Sequence, residues 1–444
     1  MTEQTAAEER PAKVRWLPPG LRPPGGLTAR QGRIFLLVGA AALFGGYDTN
    51  VFGFAIPQIQ LSLHIPEDQV GLTASLFRLA AIPAVLLAWS ADLIGRRRLL
   101  LFTIFGQAIA TLGTAFAQDF SQFVWLQLAT RIFGYAEEML CYVVIAEEMA
   151  AIARGWSSGS LAATYYAGGG IAALVFAAIA ILPYGWRSLY VIGAIPIFIV
   201  GTLRRYLPET KRFEARRKEV KKLASSIATA FDILRRLIKE HPRRLAAILI
   251  AAAAYGFAIW PPTVLASKYL QYAMHFTPPQ VTMLILPGGL VALVFAILAG
   301  RLSDWIGRKY VVFAACLIAM GCFEVFYSGT SWRYVAYLWV PGFFGFFCAD
   351  SLFQGFTAEL MPTAYRATVA GLRYLVSILS GALSLWLEGP LYDLFHAHGP
   401  AMMLLMATMP VAMIAILYLP EPAGRTLEDI AAEPDRENKA TTSS

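Results

Sequence analysis

The sequence predicts an all-α integral membrane protein, with twelve transmembrane helices in two repeat-related six-helix bundles. Three observations predict it: apolar stretches of helical length along the whole chain, a charge pattern that recurs in one register, and cations gathered on one side. Of 444 residues, 57% are hydrophobic and 15% charged, against about 25% charged in ordinary soluble domains. The apolar stretches fall near 34–57, 69–90, 98–117, 122–146, 157–182, 188–206, 244–267, 279–300, 309–328, 333–357, 367–388 and 400–419. Each approaches the roughly 20 residues that ~30 Å of hydrocarbon demands of a helix.

The internal repeat is anchored by Ala-Asp-Leu-Ile-Gly-Arg-Arg-Arg at 91–98, which returns as Ser-Asp-Trp-Ile-Gly-Arg-Lys at 303–309. Asp92 corresponds to Asp304, Gly95 to Gly307 and Arg96 to Arg308, each pair 212 residues apart. The same offset carries Glu147 to Glu359, Arg154 to Arg366 and Pro208-Glu209 to Pro420-Glu421. Four landmarks in one register make the halves copies of one unit. The expected organisation is a cytoplasmic tail (1–33), an N-terminal six-helix bundle (34–206), a cytoplasmic linker (207–243), a C-terminal six-helix bundle (244–419) and a second cytoplasmic tail (420–444). The first tail is polar and Pro-rich, without an apolar signal core, and reads as disordered. The linker is strongly basic, yet Ile227, Phe231, Leu234 and Ile238 recur at helical spacing. Amphipathic helices against the cytoplasmic mouth and a solvated linker both fit.

A formal net charge of +8 raises the question of nucleic acid, and the distribution of the cations answers it. All but six of the 37 Lys and Arg fall in tails and loops of one side. The exceptions are Arg78, Arg131 and Arg373 within spans, and Arg187, Lys268 and Arg333 on the opposite side. That bias orients a multi-pass cell (inner) membrane protein with both termini cytoplasmic. The partners expected are the lipid bilayer, a small-molecule substrate and a proton, with no nucleic acid, and the chain is expected to be a monomer. Cys141, Cys316, Cys322 and Cys348 lie in spans without metal-ligand spacing and read as packed thiols. No nucleotide loop, metal cluster or nucleophile constellation stands out, so neither an enzyme nor a cofactor is expected.

The loop Gly-Arg-Leu-Ser-Asp-Trp-Ile-Gly-Arg-Lys at 300–309 resembles the signature loop of the major facilitator superfamily. Residues 88–97 match it except for Ala88 in place of the opening glycine. Further matches are Gly46-Tyr47-Asp48-Thr49, Glu147 with Arg154-Gly155, and Leu207-Pro208-Glu209-Thr210-Lys211-Arg212. Glu359-Leu360-Met361-Pro362-Thr363-Ala364-Tyr365-Arg366 and Pro420-Glu421-Pro422-Ala423-Gly424-Arg425 complete the set. In order, they resemble the sugar-porter-like branch, which also holds carriers of organic acids and organic ions. The resemblance implies the major facilitator fold and secondary transport by alternating access. It also implies a cytoplasmic gate of Asp92, Gly95, Arg96, Arg97, Glu147, Arg154, Asp304, Gly307, Arg308, Lys309, Glu359 and Arg366, shut when the protein faces outward. The seven-residue spacing of Glu147 and Arg154 suggests one helical face, two turns apart. Glu148 is the alternative to Glu147, which the register favours.

Charge at bilayer depth costs at least ~2.5–3.5 kcal/mol, so it marks a partner or a wet cavity. The candidates are Asp48, Arg78, Arg131, Glu137, Glu138, Glu324, Asp350 and Arg373. Helical rise places Asp48, Arg78 and Arg131 at similar depth, so Asp48 can pair with either arginine. In proton-coupled relatives an aspartate of the first span and an arginine of the fourth form the protonation site. Asp48 matches the aspartate, while the family arginine position holds Gln127 and Arg131 comes one turn later. Asp48, Arg131, Glu137 and Glu138 are therefore the proton-coupling candidates, with a permanent structural ion pair as the alternative. All five histidines (His64, His241, His275, His396, His398) read as loop residues, so none competes.

For the substrate, the candidates are Tyr47, Asn50, Arg78, Tyr255, Trp260, Asp350 and Arg373. Glu138 and Asp350 are themselves one repeat apart. The seventh span, Ala-Tyr-Gly-Phe-Ala-Ile-Trp-Pro-Pro at 254–262, lacks the Gln-rich pattern of the sugar carriers. Its aromatics suit a flat substrate, and Pro261-Pro262 reads as a helix break that permits gating. The three arginines favour an anion. The reading is proton-coupled symport of a small organic acid, aromatic acids included. A sugar or polyol carrier, an organic cation or drug exporter, and a transporter-like solute sensor are the alternatives.

Overall fold

A computed structural model of the chain describes residues 22–23, 25–206, 234–329, 333–362 and 365–422. The chain packs into two compact units, Met1–His64 with Ala80–Lys221, and Ile65–Leu79 with Lys222–Ser444.

The first unit contains α1 (Ala29–Leu63). Past α2 (Glu67–Leu79) of the second unit, the chain returns to the first with α3 (Ala81–Trp89), α4 (Ala91–Ile94) and α5 (Arg96–Ala115). It continues through α6 (Phe120–Glu148), α7 (Arg154–Ala177) and α8 (Trp186–Leu203). Thr28 and Gln31 form a capping box that starts α1, and the Asp119 carboxylate accepts from the Gln122 amide to start α6. The closest helix contact is between α1 and α7. A Cβ at Gly46 would come 1.9 Å from the Tyr165 carbonyl oxygen, and one at Gly168 would come 1.8 Å from that of Leu43. Only hydrogen fits, so backbone lies on backbone, as small residues allow in membrane helices.

The second unit joins α2 to α9 (Pro242–Val264), α10 (Ala266–Tyr272), α11 (Pro278–Ile306) and α12 (Arg308–Tyr327). It ends with α13 (Trp339–Glu359), α14 (Arg366–Phe395), α15 (His398–Met406) and α16 (Met409–Tyr418). α2 lies against α14, where a Cβ at Gly71 would sit 2.3 Å from the Leu385 carbonyl oxygen. Pro261 and Pro262 occupy the last turn of α9, and the break falls just beyond, at Leu265.

Ten helical segments among the described residues are long and apolar enough to cross a membrane. Glu67–Trp89 and His398–Tyr418 each count as one interrupted span. α6 and α11 are not among the ten, although each has 29 residues, more than the ~20 a bilayer needs. With them the helices make twelve spans. α6 is diluted by Arg131, Glu137, Glu138, Glu147 and Glu148. Of the linker, 207–233 lies outside the described residues, including Ile227 and Phe231; 234–240 is helical.

Candidate functional site

The repeated loops come out nearly superposable in their bonding. Gly95 has φ 105° and ψ 143°, and Gly307 has φ 120° and ψ 142°. Both are left-handed positions that favour glycine. Each glycine starts a helix whose first arginine reaches a glutamate 51 residues on. Arg96 Nη2 donates to Glu147 Oε1 at 3.0 Å, and Arg308 Nε to Glu359 Oε2 at 3.1 Å. The first pair is the more enclosed, 9% and 11% exposed against 25% and 30%. Arg97 Nη2 donates to the Arg205 carbonyl (2.5 Å), and Lys309 Nζ to that of Leu419 (3.5 Å). Glu148 has its own partner in Arg30, at 3.3 Å. Asp304 pairs with Arg308 one turn on (2.6 Å). The side chains of Asp92 and Arg154 lie outside the described residues.

The single-face arrangement of Glu147 and Arg154 does not form. α6 stops at Glu148, Met149 is extended (φ −84°, ψ 143°), and Arg154 opens α7. Likewise Glu359 ends α13 and Arg366 opens α14, where its Nε donates to the Met361 carbonyl (3.0 Å). Glu421, beside the second copy of the repeated loop, is a residue the sequence reading left out of its gate candidates. Its two carboxylate oxygens accept from the Arg308 and Lys309 amides at 2.7 and 3.0 Å, a negative charge at the positive end of α12. The recurrence of Pro-Glu at 208–209 and 420–421 was its sequence signal. Outside the spans, the Tyr365 hydroxyl donates to Glu240 Oε2 (2.6 Å), which holds that phenol above the usual tyrosine range.

Within the first unit, Asp48 of α1 and the charged residues of α6 meet neutral donors of α5. Asp48 is 2% exposed. One of its oxygens accepts from Gln107 Nε2 (3.3 Å) and the other from Thr111 Oγ1 (3.2 Å). Arg131 of α6, in the same unit, acts on Asp48 through its charge. Gln127, at the family arginine position, instead donates to Thr114 (3.2 Å). Glu138 borders a small cavity shared with Thr49, Gln107, Gly134 and Tyr165, so Gln107 touches both Asp48 and the space beside Glu138.

Glu137 stands apart from that arrangement. Arg204, the residue after α8, forms an ion pair with it, Thr103 donates to it at 2.5 Å, and Cys141 lies at 3.5 Å. Arg204 is 1% exposed and Glu137 2%. Sequence reasoning missed Arg204, which sits in Leu-Arg-Arg-Tyr among surface cations. Tyr47 and Asn50 are likewise committed to packing. The Tyr47 hydroxyl donates to the Leu189 carbonyl (2.8 Å), and Asn50 to that of Gly46 (2.8 Å) while lying against Gly169.

The second unit gathers the other five substrate candidates. The Arg78 guanidinium lies 3.3 Å from the Trp260 ring centroid, a cation–π contact. Phe346 joins Trp260 (5.8 Å between centroids, edge-on) to Tyr255 (6.5 Å, stacked). Tyr255 is buried, and its hydroxyl donates to the Phe346 carbonyl (2.8 Å). Arg373 is 4% exposed, 5.5 Å from the Phe353 ring, and 4.0 Å from Asp350 Oδ1. That separation is too long for a hydrogen bond, and among the described residues Arg373 makes none. Asp350 also feels Arg78. Arg78 and Arg373 thus both lie near Asp350, beside an aromatic wall. Phe346 and Phe353 were not anticipated individually, although Phe-Phe-Gly-Phe-Phe at 343–347 marked the span as aromatic.

One histidine departs from the loop expectation. His398 is the first residue of α15 and lies between two carboxylates, of Glu388 and Glu67. The expected end of the eleventh span at 388 hid this, since α14 continues through Pro390 to Phe395.

Two bundles built on one repeat, each with ionic side chains buried among membrane-spanning helices, define a polytopic membrane carrier. The Major Facilitator Superfamily model matches residues 38–385, and the chain belongs to that family: it is a transporter rather than an enzyme. It is 27% identical over 364 residues to the cis,cis-muconate transport protein of Acinetobacter baylyi, covering 79% of this chain and 85% of the relative. It is 25% identical over 327 residues to the 3-(3-hydroxy-phenyl)propionate transporter of Escherichia coli, covering 68% and 79%. The fold is that of a D-xylose–proton symporter crystal structure, with a TM-score of 0.74 at 18% identity, covering 89% of this chain and 99% of that one.

Proposed function

We propose that the protein is a proton-coupled symporter for a small organic acid with a flat, unsaturated or aromatic body. It would work as a monomer in the inner membrane with both termini in the cytoplasm. The observation that carries the substrate reading is Arg373: a buried guanidinium with no hydrogen bond among the described residues, beside Arg78 on Trp260. A guanidinium fork binds a carboxylate through two parallel hydrogen bonds, and Trp260, Phe346 and Phe353 offer faces for the substrate body. Similarity to carriers named for muconate and a hydroxyphenylpropionate supports the same class.

Asp48 with Arg131 is the coupling site in this reading. A carboxylate held by two neutral donors near a cation can release and regain a proton without leaving its position. Glu138, across the Gln107 cavity, would pass the proton onward, while Glu137 stays locked to Arg204 as a brace. Arg96–Glu147 and Arg308–Glu359, with Gly95, Gly307, Arg97 and Lys309, would brace the cytoplasmic end of each bundle as the gate works.

The test is flux into liposomes containing the purified protein. Under an inside-alkaline gradient, cis,cis-muconate or 3-(3-hydroxyphenyl)propionate should accumulate, and xylose should not. Asp48→Asn should abolish accumulation while sparing exchange. Xylose uptake would overturn the substrate reading, and accumulation unchanged in Asp48→Asn would overturn the coupling assignment.

A further inference from the structure

The second unit holds a buried ionic cluster at the end of α14 remote from Arg366, apart from the gate and the arginine site. Glu388 on α14 is 0% exposed, Lys268 on α10 is 1% exposed, and the His398 side chain is 12% exposed. His398 Nδ1 lies 2.5 Å from Glu388 Oε1, and its Nε2 lies 3.4 Å from Glu67 Oε2 on α2. Lys268 Nζ donates to the same Glu67 oxygen. Burial pushes the Lys268 ammonium below its ordinary range, and Glu67 opposes that. The Tyr392 ring lies over the imidazole at 4.4 Å.

A neutral imidazole donates from one nitrogen only. With a carboxylate oxygen at each nitrogen, the arrangement calls for the imidazolium, and two cations then balance two anions. Without that proton the cluster carries an uncompensated negative charge shared between fully buried Glu388 and Glu67, which is 32% exposed, and the buried share is unfavourable. Glu388 has no slack, because its Oε2 is buried without a hydrogen bond among the described residues. A Cβ at Gly71 would come 2.9 Å from that oxygen. The backbones are equally close, since a Cβ at Gly389 would lie 2.2 Å from the Asp68 carbonyl oxygen. The groups facing His398 are Glu67 on α2, Lys268 on α10, and Glu388 and Tyr392 on α14. Tyr327 of α12 faces Glu388, Tyr272 faces Glu67, and Asp393 faces Tyr392.

We propose that His398, Glu388, Glu67 and Lys268 form a proton-binding site, distinct from Asp48, whose occupancy holds α2 against α14. Protonated, His398 bridges the two helices through their glutamates; deprotonated, it repels one of them, and the α2–α14 contact loosens. Low pH therefore closes this end of the second unit and high pH releases it.

Amide exchange over α2, measured on the full chain in lipid nanodiscs and corrected for intrinsic base catalysis, tests this without any transport assay. Protection of the α2 amides should fall by about tenfold or more on going from roughly pH 6 to pH 9, reporting local opening. In His398→Gln it should be low and vary by less than about twofold over that range. Glu388→Gln, which keeps the cluster balanced when the imidazole is neutral, should also flatten the response. Wild-type protection that does not change with pH would overturn the proposal, as would either variant keeping the wild-type response. If a variant fails to fold, the wild-type titration still decides.

Discussion

The two units carry the two copies of one repeat, except that α2 of the first copy packs in the second unit, yet they differ in how they hold buried charge. At the loops the copies agree: a left-handed glycine, then an arginine reaching a glutamate 51 residues further on, at 3.0 and 3.1 Å. Inside, they part. The first unit satisfies two buried carboxylates, with Asp48 held by Gln107 and Thr111 and Glu137 by Arg204 and Thr103. The second leaves a guanidinium, Arg373, without a hydrogen bond among its described neighbours. The repeat partners Glu138 and Asp350 show the same divergence, one beside a cavity and the other near two arginines. Duplication preserved what holds a bundle together, while the chemistry of each interior was free to specialise.

The comparison can be broken first at Arg204. If the first unit depends on its closed ion pair, Arg204→Leu should cost about 3–5 kcal/mol, because Glu137 is left charged and buried. A thermal melt of the purified protein would show it, and Arg204→Leu with Glu137→Leu should recover much of the loss. A melt unchanged in Arg204→Leu would mean the pair is not formed. The second test falls on Arg373. Arg373→Gln should raise KM for the transported acid by about tenfold to a hundredfold, the worth of a hydrogen bond to a charged group, with no comparable loss of thermal stability. Stability lost without a change in KM would make Arg373 a structural cation. The smallest effect compares the duplicated pairs. Glu147→Gln should lower stability more than Glu359→Gln, each by no more than about 1 kcal/mol, because the first pair is the less exposed. Equal effects would show that burial does not distinguish the two copies.

The fold was legible in the sequence because bilayer length and one-sided cations leave little freedom, and because a charged loop cannot hide among apolar residues. Asp48 and Arg131 were legible as charges at matching depth, and Arg78, Trp260 and Arg373 as polar or aromatic residues within spans. Arg204 was not, since helical phase alone separates it, at 1% exposure, from its exposed neighbour Arg205. Nor was the seven-residue spacing of Glu147 and Arg154 a guide to one face, because the helix ends between them. The eleventh span was expected to end near 388, so Glu388 and His398 were assigned to a span edge and a loop. Tertiary packing carries α14 through Pro390, and that fact lies outside local pattern.

The distance in sequence between Glu137 and Arg204 has a consequence for biogenesis. During synthesis, the acid enters the bilayer on α6 well before the ribosome has made α8 and the arginine that neutralises it. Through that interval the nascent hairpins carry an unmatched carboxyl group, which favours its neutral acid form or a sheltered place beside the insertion machinery. Arrival of the residues that end α8 then seals it electrically, before α9 and the helices after it have been translated.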